Sequence, residues 1–172
     1  MELLINKNTV EQYLQVAIGV TEDQFNIYIL EAQDFNLKTL LCEEFFYDLI
    51  TKKEEEVWKK LIDGGSYVYN GRNYMFPGIA KVLSYFTYAR FILKSNVVST
   101  SHGFVTKKST HSEPLSIEER RNFYHSYRKD ANTVFEDVKK FIERNVNDYP
   151  SWNCNSDCSK TEKASFKSRV IQ

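Results

Sequence analysis

The sequence predicts an all-α fold: a small helical bundle with a long C-terminal helix, a short β-hairpin near residues 67–76, and a long loop or β-ribbon over 97–115. Three observations carry that expectation. Apolar residues recur at three- and four-residue steps through most of the first 150 positions, start signals of the capping-box type precede several of these runs, and one Asn-Gly pair sits between two aromatic-rich stretches. The 172 residues suit one domain with a tail, here a helical domain over 1–152 and a C-terminal tail over 153–172.

Asn8 with Glu11 reads as a capping box opening a first helix through Val10, Tyr13, Leu14, Ala17 and Ile18, with Gly19 as its stop. Thr21 with Gln24 opens a second, carried by Phe25, Ile29 and Ala32. Asp34 is a candidate cap for a third, whose stripe is Leu37, Leu40, Leu41, Phe45 and Leu49. Glu54, Glu55 and Glu56 favour the N-terminus of a fourth, which continues through Val57, Trp58, Leu61 and Ile62 to Gly64-Gly65.

Tyr67 to Phe76 then turns about Asn70-Gly71, residues that accept positive φ. Pro77 suits the first position of a helix running to Ser95, whose polar stripe is so narrow that most of its circumference must be covered. Periodicity lapses from Asn96 to Leu115, a connection long enough to suggest function. Ser116 with Glu119 opens the last helix, about 30 residues or 45 Å long. That exceeds what a small domain requires, so part of it is expected against a neighbouring subunit. Beyond Pro150 the tail lacks apolar periodicity.

Lys+Arg and Asp+Glu both number 23, which argues against a whole-molecule electrostatic footprint for nucleic acid or anionic membrane. The balance is uneven along the chain, with a net of −7 over residues 1–63 and +7 over 64–172. Either folding interleaves the two signs within one monomer, or copies attract one another acidic side to basic side, a heterologous contact that closes into rings or runs on as filaments. No signal peptide is expected, since the apolar start is only a few residues long. No membrane span is expected either, since Lys81 and Arg90 interrupt the longest apolar stretch. Three cysteines suit a reducing cytoplasm, and Cys154 and Cys158 read as reduced thiols, not a zinc site.

His102, His111 and His125 form no metal-ligand spacing, and no nucleophile elbow or phosphate-binding glycine loop occurs. Glu43, Glu44 and Asp48 are read as a solvated acidic face. The expectation is therefore no enzyme, no catalytic residue, no metal and no cofactor. Lys107-Lys108, Arg120-Arg121, Arg128-Lys129 and the lysines of the tail offer phosphate contacts. They keep open an alternative, a cytoplasmic helical nucleic-acid-binding or regulatory module using the basic C-terminal half.

Four pieces carry a resemblance. The first is Ile29-x2-Ala32-Gln33 with Leu37-x2-Leu40-Leu41, Phe46-Tyr47 and Leu49. The second is Tyr67-x3-Gly71-x2-Tyr74 leading to Pro77-Gly78-Ile79 and Tyr85-Phe86-x-Tyr88-Ala89-Arg90-Phe91. The third is Thr100-x2-Gly103-x-Val105-x-Lys107 with Ser112 to Ser116, and the fourth is Tyr149-Pro150-x-Trp152. In this order the chain resembles the head-tail connector proteins (adaptor, ring or head-completion proteins) of tailed bacteriophages, especially ring proteins of Bacteroidetes phages such as the crAss-like group.

That resemblance implies a virion protein of the neck, assembled in the host bacterial cytoplasm. It implies a homo-oligomeric ring, twelve-fold, seated on the portal protein and meeting other neck or tail rings. Double-stranded DNA would pass through the lumen, with no catalysis and no membrane. Candidate inter-subunit or portal and tail contacts are His102, Gly103, Phe104, Val105, Lys107 and Lys108 in the long loop, Tyr69 and Arg72 in the hairpin, and Trp152, Phe166 and Ile171 near the C-terminus. The chain departs from the family pattern at Cys42, where a glycine after the paired leucines is common.

Overall fold

The structure, a computed structural model, describes residues 2–101, 103–106 and 114–152. It is mainly helical, with a long C-terminal helix and an antiparallel two-stranded hairpin. The order is α1 (Lys7–Glu11), α2 (Glu22–Ala32), a π-helical turn (Gln33–Leu37), α3 (Lys38–Leu41), α4 (Glu43–Thr51) and α5 (Glu56–Asp63). There follow β1 (Gly65–Tyr69), β2 (Arg72–Phe76), α6 (Gly78–Lys94), β3 (Val97–Thr100), β4 (Gly103–Thr106) and α7 (Ile117–Arg144).

α6 is the hub. Ile79, Ala80, Val82, Leu83, Phe86 and Ala89 are buried around it, as the narrow polar stripe requires. α7 packs along one side of it, while α1, α2 and α5 pack on others. Ser84 and Thr87 are buried on α6 as well, and the Ser84 hydroxyl donates to the Ala80 carbonyl one turn earlier (2.7 Å).

The first helix differs from its expectation. Its cap is Asn6, whose side chain accepts from the Thr9 amide (2.9 Å), and the helix ends at Glu11. Beyond it the backbone is tied by side chains from elsewhere: Tyr88 Oη donates to the Gln15 carbonyl (2.7 Å) and Lys7 Nζ to the Val20 carbonyl (2.8 Å). Val16 is buried while Ile18 stands 99% exposed, so the apparent helical spacing over 10–18 is a coincidence of an irregular segment. Thr21 caps α2 as expected, accepting from the Gln24 amide.

Asp34 caps nothing. The chain runs through it as a π-turn and breaks instead at Cys42, whose φ of 63° lies in the left-handed region. A glycine would take this backbone without strain. Cys42 is disulfide-bonded. Cys154 and Cys158, the residues expected as reduced thiols, lie outside the described residues.

The π-turn aims two polar side chains inward. The carboxamide of Gln33 accepts from the Leu4 amide (2.8 Å) and donates to the Glu2 carbonyl (3.1 Å), pinning the N-terminal strand of chain to the body. Asn36 Oδ1 accepts from Arg90 Nε (2.8 Å).

α5 ends at Gly64 (φ 82°), and the turn Asn70-Gly71 has positive φ at both residues (51° and 72°), the pattern expected of a two-residue hairpin. Pro77 lies one position earlier than expected, at the cap of α6. Ser116 and Glu119 close the full capping box of α7.

Candidate interaction surfaces

The hairpin has two unlike faces because its register pairs Tyr67 with Tyr74 and Ser66 with Met75. One face carries Tyr67, Tyr69, Tyr74 and Phe76. Phe76 stacks on Phe141 of α7 with ring centroids 3.7 Å apart, and Tyr67 meets the same ring edge-on at 5.0 Å. The Arg144 guanidinium lies over Tyr74 (4.4 Å), Tyr69 (4.8 Å) and Tyr67 (5.9 Å), and donates to the Tyr67 hydroxyl (2.7 Å). A planar cation suits three ring faces at once. The opposite face presents Val68 and Met75 to solvent, at 71% and 83% exposure.

At the far end of α6 the ribbon β3–β4 pairs Val97 with Thr106 and Val98 with Val105. Val97 and Val105 therefore point to opposite faces, and both are close to half exposed (43% and 49%). A strand pair lying flat on the body would hide one of them. α7 begins beside this ribbon: Arg120, buried, donates to the carbonyl of Leu93 in the last turn of α6 (3.2 Å). A cation at a helix C-terminus is stabilised by the carbonyls it faces.

Between Ile117 and Asp130, Arg120 is the buried residue of α7, whereas Ala131, Phe135, Val138, Phe141 and Ile142 are buried farther on. The N-terminal half shows Ile117 and Phe123 to solvent. A shallow groove of about 420 Å³ runs along His125, Arg128, Lys129, Asn132, Thr133 and Glu136, all on α7 itself.

The charge halves are partly interleaved. Among the described residues, the ion pairs joining residues 1–63 to the remainder both end on Glu31, with Lys94 at 2.6 Å and Arg90 at 3.3 Å. Lys81 of α6 also turns toward the N-terminal segment, its ammonium 5.9 Å from the Tyr13 ring. The acids Glu43, Glu44, Glu54, Glu55 and Glu56 stay exposed.

Of the contact residues expected from the sequence, Tyr69, Arg72, Gly103 and Val105 are exposed. Phe104 lies within β4. Trp152 is buried, its ring 5.0 Å from Phe45 in an aromatic cluster with Trp58 and Tyr149, so it is occupied within its own chain. His102, Lys107, Lys108, Phe166 and Ile171 lie outside the described residues. Sequence reading took the hairpin 67–76 as a surface without singling out Val68 and Met75, and missed Arg144 and the exposed Phe35, over which Arg90 sits at 5.3 Å. Only the alternation of the hairpin could have marked Val68 and Met75.

Among the described residues no helix is long and apolar enough to cross a membrane, and no group of three or more His, Cys, Asp or Glu is placed to hold a metal ion. What stands out is a helical body with a strand pair at each end of its central helix. The chain belongs to a family of unknown function, DUF6712, whose model matches residues 37–162. No curated protein and no solved structure matches it.

Proposed function

We propose that this protein is a structural subunit of the tailed-phage neck, a head-tail connector that forms a homo-oligomeric ring between portal and tail. The genome passes through the lumen, and the subunit performs no catalysis. The observation that carries the reading is the ribbon β3–β4, exposed at Val97 and Val105, which falls in the segment the connector resemblance assigns to contacts between rings or along the channel. The thinly buried N-terminal half of α7 beside it supports the same reading, since it offers Ile117 and Phe123 to a neighbour. Twelve subunits, contact with the portal and with other neck rings, and a place in the virion come from the resemblance.

Electron microscopy of particles, with mass spectrometry of purified virions and of portal complexes, tests this. The expected result is density for the subunit beneath the portal. A protein absent from particles that never co-purifies with the portal refutes it. The alternative, a nucleic-acid-binding module, is favoured by exposed Arg121 and Lys129 with the half-buried Arg128 on α7. It requires DNA affinity that falls steeply with salt.

A further inference from the structure

We propose that the bonded partner of Cys42 is Cys154, so that a disulfide staples the C-terminal segment to the junction of α3 and α4 and opens or closes with the redox surroundings. Cys42 is disulfide-bonded, and the sequence holds two other cysteines, Cys154 and Cys158, both outside the described residues. The partner is therefore one of these two, and the seat of Trp152 decides between them.

Trp152 is buried, its ring 5.0 Å from that of Phe45 in the first turn of α4, three positions after Cys42. Tyr149 packs on Phe45 and Trp58 as well, at 6.1 and 5.4 Å. The chain is thus already fastened beside the helix that Cys42 opens. A disulfide needs its two Cα atoms about 4.4–6.8 Å apart. Cys154 lies two residues beyond Trp152, at most about 7 Å of chain, whereas Cys158 lies six beyond and needs the chain to fold back.

The backbone at Cys42 points the same way. Its φ of 63° favours glycine, and a side chain there carries strain that persists only where the surrounding structure demands it. A covalent bond through the side chain is a demand that cysteine alone meets.

Closing the bond removes two electrons and two protons from the pair of thiols. A small disulfide such as oxidised glutathione takes them up: one cysteine thiolate attacks it and expels one thiol, and the second cysteine then displaces the other from the mixed disulfide. A dithiol reverses both steps. The staple is thus open in a reducing cytoplasm and closed in oxidising surroundings, with Cys158 left as the thiol. Opened, the segment Tyr149 to Trp152 keeps its ring contacts and loses its covalent anchor. The staple lies within one chain and stands apart from any ring assembly.

The test uses the full-length chain equilibrated in oxidised and in reduced glutathione buffers, with free thiols then blocked by N-ethylmaleimide. Digestion before aspartate separates the two tail cysteines, because Asp157 lies between them. Mass spectrometry of the oxidised sample is expected to find the Cys42 peptide joined to the Cys154 peptide, with the maleimide on Cys158. The bond closes a loop of more than a hundred residues, so oxidised protein should unfold at a urea midpoint about 1 M or more above reduced protein. That shift should vanish in Cys154→Ser and in Cys42→Gly, which suits the backbone, and persist in Cys158→Ser. Three blocked thiols in the oxidised buffer overturn the proposal. So do a Cys42–Cys158 peptide, a disulfide joining two chains on a non-reducing gel, or a midpoint shift that survives Cys154→Ser.

Discussion

Substituting Gly78 by alanine is expected to be among the most damaging single-methyl additions in this chain. Its φ is +76°, where a side chain costs about 1–2 kcal/mol. The added Cβ would lie 2.5 Å from the Ile62 carbonyl oxygen and 2.6 Å from the Asp63 carbonyl carbon, and closer still to the Gly64 nitrogen. All three are backbone atoms, so no rotamer change relieves the clash; the end of α5 must move away from the start of α6. Overpacking of this kind costs about 1–3 kcal/mol more. The sum, about 2–5 kcal/mol, is a large part of the roughly 5–15 kcal/mol that stabilises a typical domain.

Gly71→Ala provides the control, because its φ is +72° and nothing lies within 4 Å of the added carbon. It bears the backbone cost of about 1–2 kcal/mol alone. Urea unfolding followed by circular dichroism reads the difference, with a midpoint for Gly78→Ala lower by about 1 M or more at ordinary slopes. Equal midpoints for the two variants would refute the argument that the glycine at 78 exists for backbone contact.

Three further outcomes are expected. Arg144→Ala loses a hydrogen bond and three ring contacts and should destabilise by about 1–2 kcal/mol, with hydrogen exchange rising in the hairpin; Arg144→Lys should rescue little of this, since an ammonium cannot lie flat on several rings. Burial drives the Tyr149 phenol well above the ordinary tyrosine range, and its hydroxyl donates to the Val57 carbonyl (3.0 Å). The folded state favours the neutral phenol, so this stability is fully present below the unfolded pKa of about 10 and is lost as pH rises beyond it. Spectrophotometric titration should find one phenol resisting ionisation until the protein unfolds, and Tyr149→Phe should flatten the alkaline loss. Gln33→Leu leaves the Leu4 amide and the Glu2 carbonyl unpaired, costing about 1–3 kcal/mol and exposing the N-terminal residues to limited proteolysis.

Elements governed by local chemistry were legible in the sequence. Thr21, the Ser116–Glu119 pair, Gly64 and Asn70-Gly71 each act within a few residues, and each performs the expected task. Features decided by distant partners were not. The segment after Glu11 has helical spacing but is held by Tyr88, and the break after Leu41 falls on a cysteine, a residue type with no turn signature. The burial of Trp152 likewise depends on Phe45, more than a hundred positions away. Of the candidate surfaces, the aromatic side of the hairpin could be suspected from composition. That Arg144 would take up that side and turn Val68 and Met75 outward depends on where α7 crosses it.

The uneven burial along α7 bears on how the molecule opens. Its last four turns are fastened by large buried side chains, its first four by the Arg120 guanidinium on a carbonyl of α6 and by half-buried Tyr127 against Tyr85 and Tyr88. One continuous rod thus has a deeply buried half and a more exposed arm, so fluctuations should concentrate in the arm. Amide protection measured residue by residue would show a gradient rising toward Phe141. Any partner clasping the arm would flatten that gradient.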